Sequence, residues 1–194
     1  MSPDMNLPNR LTLSRLVLTG FFLAMVMWRV RYNDTIALVL FVIASLTDYF
    51  DGRIARRRHM ITNFGILMDP LTDKILICSA FIAFVGRNLM PAWMVVIIVV
   101  RELAITGLRL LAASKQVVLA AEGYGKHKTV SQMVAIIALL VSVSYPEWGS
   151  WGNWVFAGWL PPLTELAKWI AVILTIVSGT LYLWRNRHLY LSDL

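Results

Sequence analysis

The chain has 194 residues, 58% of them apolar and 15% charged, and its mean hydropathy is +0.67. A soluble globular domain averages about 45–50% apolar and about 25% charged residues, so this composition excludes one. It also excludes a disordered chain, which needs low hydrophobicity and high charge. The net charge of +7 does not mark a nucleic-acid binder, because the basic residues are confined to short segments between apolar runs, as in multi-spanning membrane proteins. The single cysteine, Cys78, falls in an apolar stretch and reads as a small core residue.

A bilayer core about 30 Å thick takes roughly 20 apolar helical residues to cross. Six stretches qualify in chain order: Leu11–Trp28, Thr35–Asp48, Ile66–Val85, Ala92–Ala112, Thr129–Val143 and Leu166–Trp184. The first lacks a small-residue cleavage site and carries Arg15, so it reads as a retained helix and not as a signal peptide. The second and fifth are short and are expected to begin or end at the membrane surface. No repeat or long linker divides the chain. The expected fold is one all-α integral membrane domain over residues 1–194 with six transmembrane helices.

Orientation follows from the lysines and arginines. The N-terminus, the 2–3 loop, the 4–5 loop and the C-terminus share one side, with Arg10, Arg53, Arg56, Arg57, Arg58, Lys115, Lys126, Lys128, Arg185 and Arg187. The other side has Arg29, Arg31 and Arg87, with Lys168 at the start of the last helix. The positive-inside bias places both termini in the cytoplasm, and the expected location is the cell inner (cytoplasmic) membrane. The segment Tyr145–Thr164 is expected as a far-side loop whose tryptophans (Trp148, Trp151, Trp154, Trp159) sit at headgroup level.

The informative segment is DYFDGRIARRRHMITNFGILMDPLTD, residues 48–73. Asp48 and Asp51 share a face at the end of the second apolar helix, and Asp69 and Asp73 share one near the start of the third. If the intervening loop folds these helices antiparallel, the four carboxylates converge. Ionisable groups at membrane depth are costly and usually face a functional cavity. Four gathered carboxylates repel one another unless cations neutralise them. Hard divalent cations with oxygen ligands meet that need, and Mg²⁺ typically combines a few carboxylates with substrate phosphates. A lone aspartate would read as a helix cap or surface charge, but four at this spacing do not. Arg57 and Arg58 read as positive-inside markers or contacts to anionic lipid heads. Gly52 and Gly65 flank the expected loop, where a missing side chain allows close backbone approach.

The run Asp48-x2-Asp51-Gly52-x2-Ala55-Arg56-x8-Gly65-x3-Asp69-x3-Asp73 resembles, without a departure, the signature of the CDP-alcohol phosphotransferase family. The resemblance implies the fold of that family, a homodimer, and an active site open to the cytoplasm. It implies an enzyme that moves a substituted phosphate from a CDP-linked lipid or alcohol to an alcohol, releasing CMP. Carried over by position, it makes Asp48, Asp51 and Asp69 metal ligands for two divalent cations, Mg²⁺ or Mn²⁺. Asp73 becomes the general base and also touches the metal site. Gly52, Arg56 and Thr62 would contact the CDP moiety. Dications bridging a diphosphate polarise phosphorus and stabilise the leaving oxygen, and a carboxylate near the acceptor hydroxyl can take its proton.

Three further segments resemble the phosphatidylglycerophosphate synthase branch of that family. The opening Asn6-Leu7-Pro8-Asn9-Arg10-Leu11-Thr12-Leu13-Ser14-Arg15 would place Asn9 and Thr12 near CDP-diacylglycerol, with Arg15 toward the polar cavity. Equally, Asn9 can cap the first helix and Arg15 can snorkel. In the fourth helix, Arg101, Glu102 and Arg109 can share one face. Either an internal Arg–Glu pair forms there, or an arginine grips a second phosphate. The run Tyr124-Gly125-Lys126-His127-Lys128-Thr129 precedes the fifth helix, where two lysines and a helix N-terminus make an anion site. Arg101, Arg109, Lys126 and Lys128 are therefore the expected contacts to the phosphate of sn-glycerol 3-phosphate. His59 and His127 read as exposed loop residues.

The resulting expectation is transfer of a phosphatidyl group from CDP-diacylglycerol to sn-glycerol 3-phosphate, giving phosphatidylglycerophosphate and CMP. A family member using inositol phosphate, serine or phosphatidylglycerol is the near alternative. A divalent-cation transporter is the alternative from another class, since intramembrane acids also mark ion pathways. That alternative needs carboxylates near the midplane, whereas these gather at one surface.

Overall fold

The structure is a computed structural model. It describes the backbone of residues 7–28, 30–58, 63–115 and 124–191, and the side chains of residues 13–28, 30–47, 74–115 and 127–190. All regular structure among the described residues is helical. The long helices are α1 (Leu7–Met27), α2 (Asn33–Arg58), α3 (Asn63–Gly86), α4 (Ala92–Ser114), α5 (Tyr124–Ser144) and α7 (Leu160–Arg185). A 3-10 turn (Tyr145–Trp148) and α6 (Gly149–Phe156) join α5 to α7, and α8 (His188–Leu191) closes the described chain.

Each apolar stretch read from the sequence coincides with one long helix, though the first ends one residue past α1, at Trp28, and the helices outrun the stretches elsewhere. α2 continues ten residues beyond Asp48, so Gly52 and Arg56 are helical and do not lie in a loop. Hydropathy marks where apolar residues stop. The helix does not stop there, because Ala and Arg are strong helix formers on the polar side too. The expected far-side loop is likewise corrected: it folds as the 3-10 turn and α6, with Pro146 and Pro161 in first helical turns, where a missing N–H costs nothing.

α1 packs against α2 and α3, α5 against α2 and α7, and α4 against α7 and α3. Small residues allow these approaches: Ala37 and Ala44 on α2, Ala80 on α3, Ala135 on α5 and Ala171 on α7 are all fully buried. Phe22 and Phe41 fill the α1–α2 seam with ring centroids 5.6 Å apart. Cys78 is half-buried, not enclosed as expected.

The outer surface is apolar as well: Val100, Leu103, Ile173 and Val177 are exposed. A water-soluble bundle places polar residues on that face. Two helical stretches, His127–Phe156 and Leu160–Arg185, are long and apolar enough to cross a membrane. Trp151, Trp154 and Trp159 stand exposed at one end of them, and Trp148 is half-buried.

That end is held by polar contacts. The Glu147 carboxylate caps α2, accepting the backbone N–H of Asp34 at 3.2 Å and of Thr35 at 2.9 Å, and the Thr35 hydroxyl at 2.5 Å. Trp148 Nε1 donates to the same hydroxyl oxygen at 2.9 Å. Arg87, just beyond α3, pairs with Asp34 through Nη1 and Nη2, and this hydrogen bonding raises the arginine's pKa above its ordinary value. Lys168 is buried two turns into α7, not at its start, and bonds Glu165 and the carbonyl of Leu89 at 3.2 Å.

Candidate active site

The Asp34–Arg87 pair joins the start of α2 to the end of α3, and four residues connect their other ends. The two helices are therefore antiparallel. At 1.5 Å rise per residue, Asp51 and Asp69 lie about 10 Å along their helices from that connection, and Asp48 and Asp73 about 15 Å. Counted along α2 and α3 from the connection, the four aspartates thus fall at two matching levels. Their side chains lie outside the described residues, as do those of Arg56, Asn9, Thr12 and Lys126; Gly52 is described by its backbone alone, and Thr62 lies in the connection that is not described. Among the described residues no group of three or more His, Cys, Asp or Glu gathers. The donor set fits hard dications nonetheless, since four carboxylates offer only oxygen. Asn9 falls in the first turn of α1 and does not occupy its N-cap.

Beside this end of the bundle lies a charged cluster whose side chains are described. Glu102, on α4, is buried and accepts the Lys128 ammonium from α5, and Arg101 Nη1 at 3.3 Å. Lys128 is itself 3% exposed. The Lys74 ammonium, next in sequence to Asp73, donates to the Thr106 hydroxyl, which donates to the Glu102 backbone carbonyl at 2.6 Å. Lys74 lies within electrostatic reach of Glu102, Arg101 and Arg109, and Lys128 within reach of Lys74 and Arg101. Arg109 is more exposed and leans on α7, its Nε donating to the Tyr182 hydroxyl at 3.4 Å and its guanidinium 5.7 Å from that ring.

The internal Arg–Glu pair weighed from the sequence therefore exists, and it draws in Lys128 as well. Arg101 and Lys128 are brought together, with Arg109 nearby. Among the described residues the cluster sets several cations around one carboxylate. A buried charge needs a counter-charge, and this surplus is of the sign that a phosphate would balance.

A family model described as CDP-alcohol phosphatidyltransferase matches residues 5–177. The chain belongs to the CDP-alcohol phosphatidyltransferase family. It is similar to a Bacillus subtilis (strain 168) protein named CDP-diacylglycerol--glycerol-3-phosphate 3-phosphatidyltransferase, 40% identical over 193 residues, covering 93% of this chain and 95% of the relative. A Rickettsia felis protein of the same name is 33% identical over 182 residues, covering 94% of this chain and 96% of the relative.

For this CDP-alcohol phosphatidyltransferase, sequence reasoning missed Lys74 and Thr106. The signal for Lys74 was present, a lysine inside an apolar stretch directly after the last signature aspartate. Thr106 gave none, because a hydroxyl in an apolar helix usually bonds its own helix. Tyr182 and Gly179 were equally silent. Gly179 on α7 matters by absence: a Cβ there would stand 2.8 Å from Arg101 Cγ, so the arginine stem crosses α7 where no side chain obstructs it.

Proposed function

We propose that this chain transfers the phosphatidyl group of CDP-diacylglycerol to sn-glycerol 3-phosphate, forming phosphatidylglycerophosphate and CMP in phospholipid biosynthesis. The observation that carries this reading is the near end-to-end similarity to relatives named for that reaction. The cations that gather on Glu102 among the described residues support an acceptor that bears a phosphate.

Asp48, Asp51, Asp69 and Asp73 would hold two divalent cations, Mg²⁺ or Mn²⁺, which when bound polarise the diphosphate and neutralise charge on the departing oxygen. Asp73 takes the proton of the acceptor hydroxyl. The hydroxyl oxygen bonds to the phosphorus that carries the diacylglycerol, and the bridging P–O bond breaks with its electron pair leaving on CMP. Asn9, Thr12, Gly52, Arg56 and Thr62 hold the liponucleotide. Arg101, Arg109, Lys126 and Lys128 hold the acceptor phosphate, which fixes the hydroxyl in place and lowers the entropic part of the barrier.

In this reading the six long helices all span the inner membrane, both termini are cytoplasmic, and the site opens to the cytoplasm. The acyl chains lie between helices toward lipid, and the enzyme works as a homodimer. The positive-inside bias supports the orientation. Chromatography of the product formed from labelled glycerol 3-phosphate tests the reaction. Phosphatidylglycerophosphate is the expected product. Turnover with inositol phosphate, serine or phosphatidylglycerol and none with glycerol 3-phosphate would overturn it.

A further inference from the structure

Glu102 is where the described interior charges meet. Its carboxylate takes Lys128 from α5 and Arg101 from its own helix. Its backbone carbonyl takes Thr106, and through that hydroxyl Lys74 of α3 is held on the same turn of α4. One helical turn thus collects cations from three helices. Lys128 is 3% exposed, and a buried ammonium without a carboxylate either sheds its proton or swings out. In both cases a phosphate donor is lost.

The cations keep donors to spare. An ammonium has three and a guanidinium five. Arg101 Nε is buried with no hydrogen-bond partner among the described residues. We propose that Glu102 is a positioning residue for the acceptor: it keeps Lys128 charged beside Arg101 so that their remaining donors meet the acceptor phosphate. It does not touch substrate, and its influence falls on the acceptor and not on the liponucleotide. This inference rests on the acceptor reading of the preceding subsection and assigns a role to a residue outside that contact set.

The test measures CMP release by the purified full-length chain, varying each substrate in turn. Glu102→Gln should raise KM for glycerol 3-phosphate about tenfold or more, the factor expected for one charge-assisted hydrogen bond, while KM for CDP-diacylglycerol stays within about twofold. Glu102→Asp keeps the charge on a shorter stem and should recover part of the loss. A purely structural role would move both constants together and gain nothing from the aspartate. An unchanged or lowered KM for glycerol 3-phosphate, or an equal rise in both constants, overturns the inference. If Glu102→Gln does not accumulate as folded protein, Glu102→Asp decides by the same split. A wild-type chain whose CMP release ignores glycerol 3-phosphate would instead overturn the acceptor reading, and this inference with it.

Discussion

Replacing Gly179 by alanine adds a single methyl group where α7 crosses the stem of Arg101. Its Cβ would stand 2.8 Å from Arg101 Cγ, and ordinary contact begins at 3.4 Å, so the stem must move by about 0.6 Å or the helices must part. The Arg101 Nη1 to Glu102 contact is already 3.3 Å, near the limit of a useful hydrogen bond, and a shift of that size away from Glu102 breaks it. Losing a hydrogen bond between charged groups costs about 1.5–3 kcal/mol, which corresponds to roughly tenfold or more in an equilibrium constant. Overpacking adds about 1–3 kcal/mol of lost stability. Gly179→Ala should therefore raise KM for glycerol 3-phosphate about tenfold, and lower the thermal midpoint in detergent, with little change in KM for CDP-diacylglycerol. Wild-type KM for glycerol 3-phosphate in a variant that has lost stability would refute the reasoning, because the methyl group would then be absorbed without moving the arginine.

Other outcomes are expected from the same account. Asp73→Asn should abolish turnover while leaving CDP-diacylglycerol binding measurable, and near-normal turnover would remove the base assignment. Lys126→Ala should raise KM for glycerol 3-phosphate far more than that for the liponucleotide; equal effects would count against its place in the acceptor site. Glu147→Ala removes the cap on α2 at the opposite end of the bundle, and should cost about 1–2 kcal/mol of stability while both KM values hold. Thermal unfolding and steady-state kinetics on one preparation check both parts.

The number and order of long helices were legible because apolar runs of bilayer length are a coarse signal. Helix ends were not, since a chain leaving the apolar zone changes its solvent before it changes its backbone: α2 runs on to Arg58 and α5 begins at Tyr124. The Tyr145–Thr164 segment reads from the sequence as a far-side loop, whereas the chain folds there into short helices and the start of α7. Its prolines start helices, and Glu147 serves a helix more than a hundred residues earlier in the chain. Such a partner leaves no local mark. The aspartate spacing was legible because helix periodicity alone puts i, i+3 and i, i+4 on one face. The Glu102 cluster was half legible. Charges inside an apolar helix had to be paired, so Arg101 and Glu102 stood out. That Lys128 would be the second partner, and that Lys74 would reach Thr106, depended on how three helices pack.

The central claim is that carboxylates from α2 and α3 hold dications in an enzyme that joins a CDP-linked lipid to a phosphorylated acceptor. Its most direct test is CMP release from CDP-diacylglycerol by the purified chain, with and without glycerol 3-phosphate, before and after chelation. The account predicts release only when acceptor and metal are both present, with recovery on adding back Mg²⁺ or Mn²⁺. Full release in the presence of chelator, or none when acceptor and metal are both supplied, would contradict it.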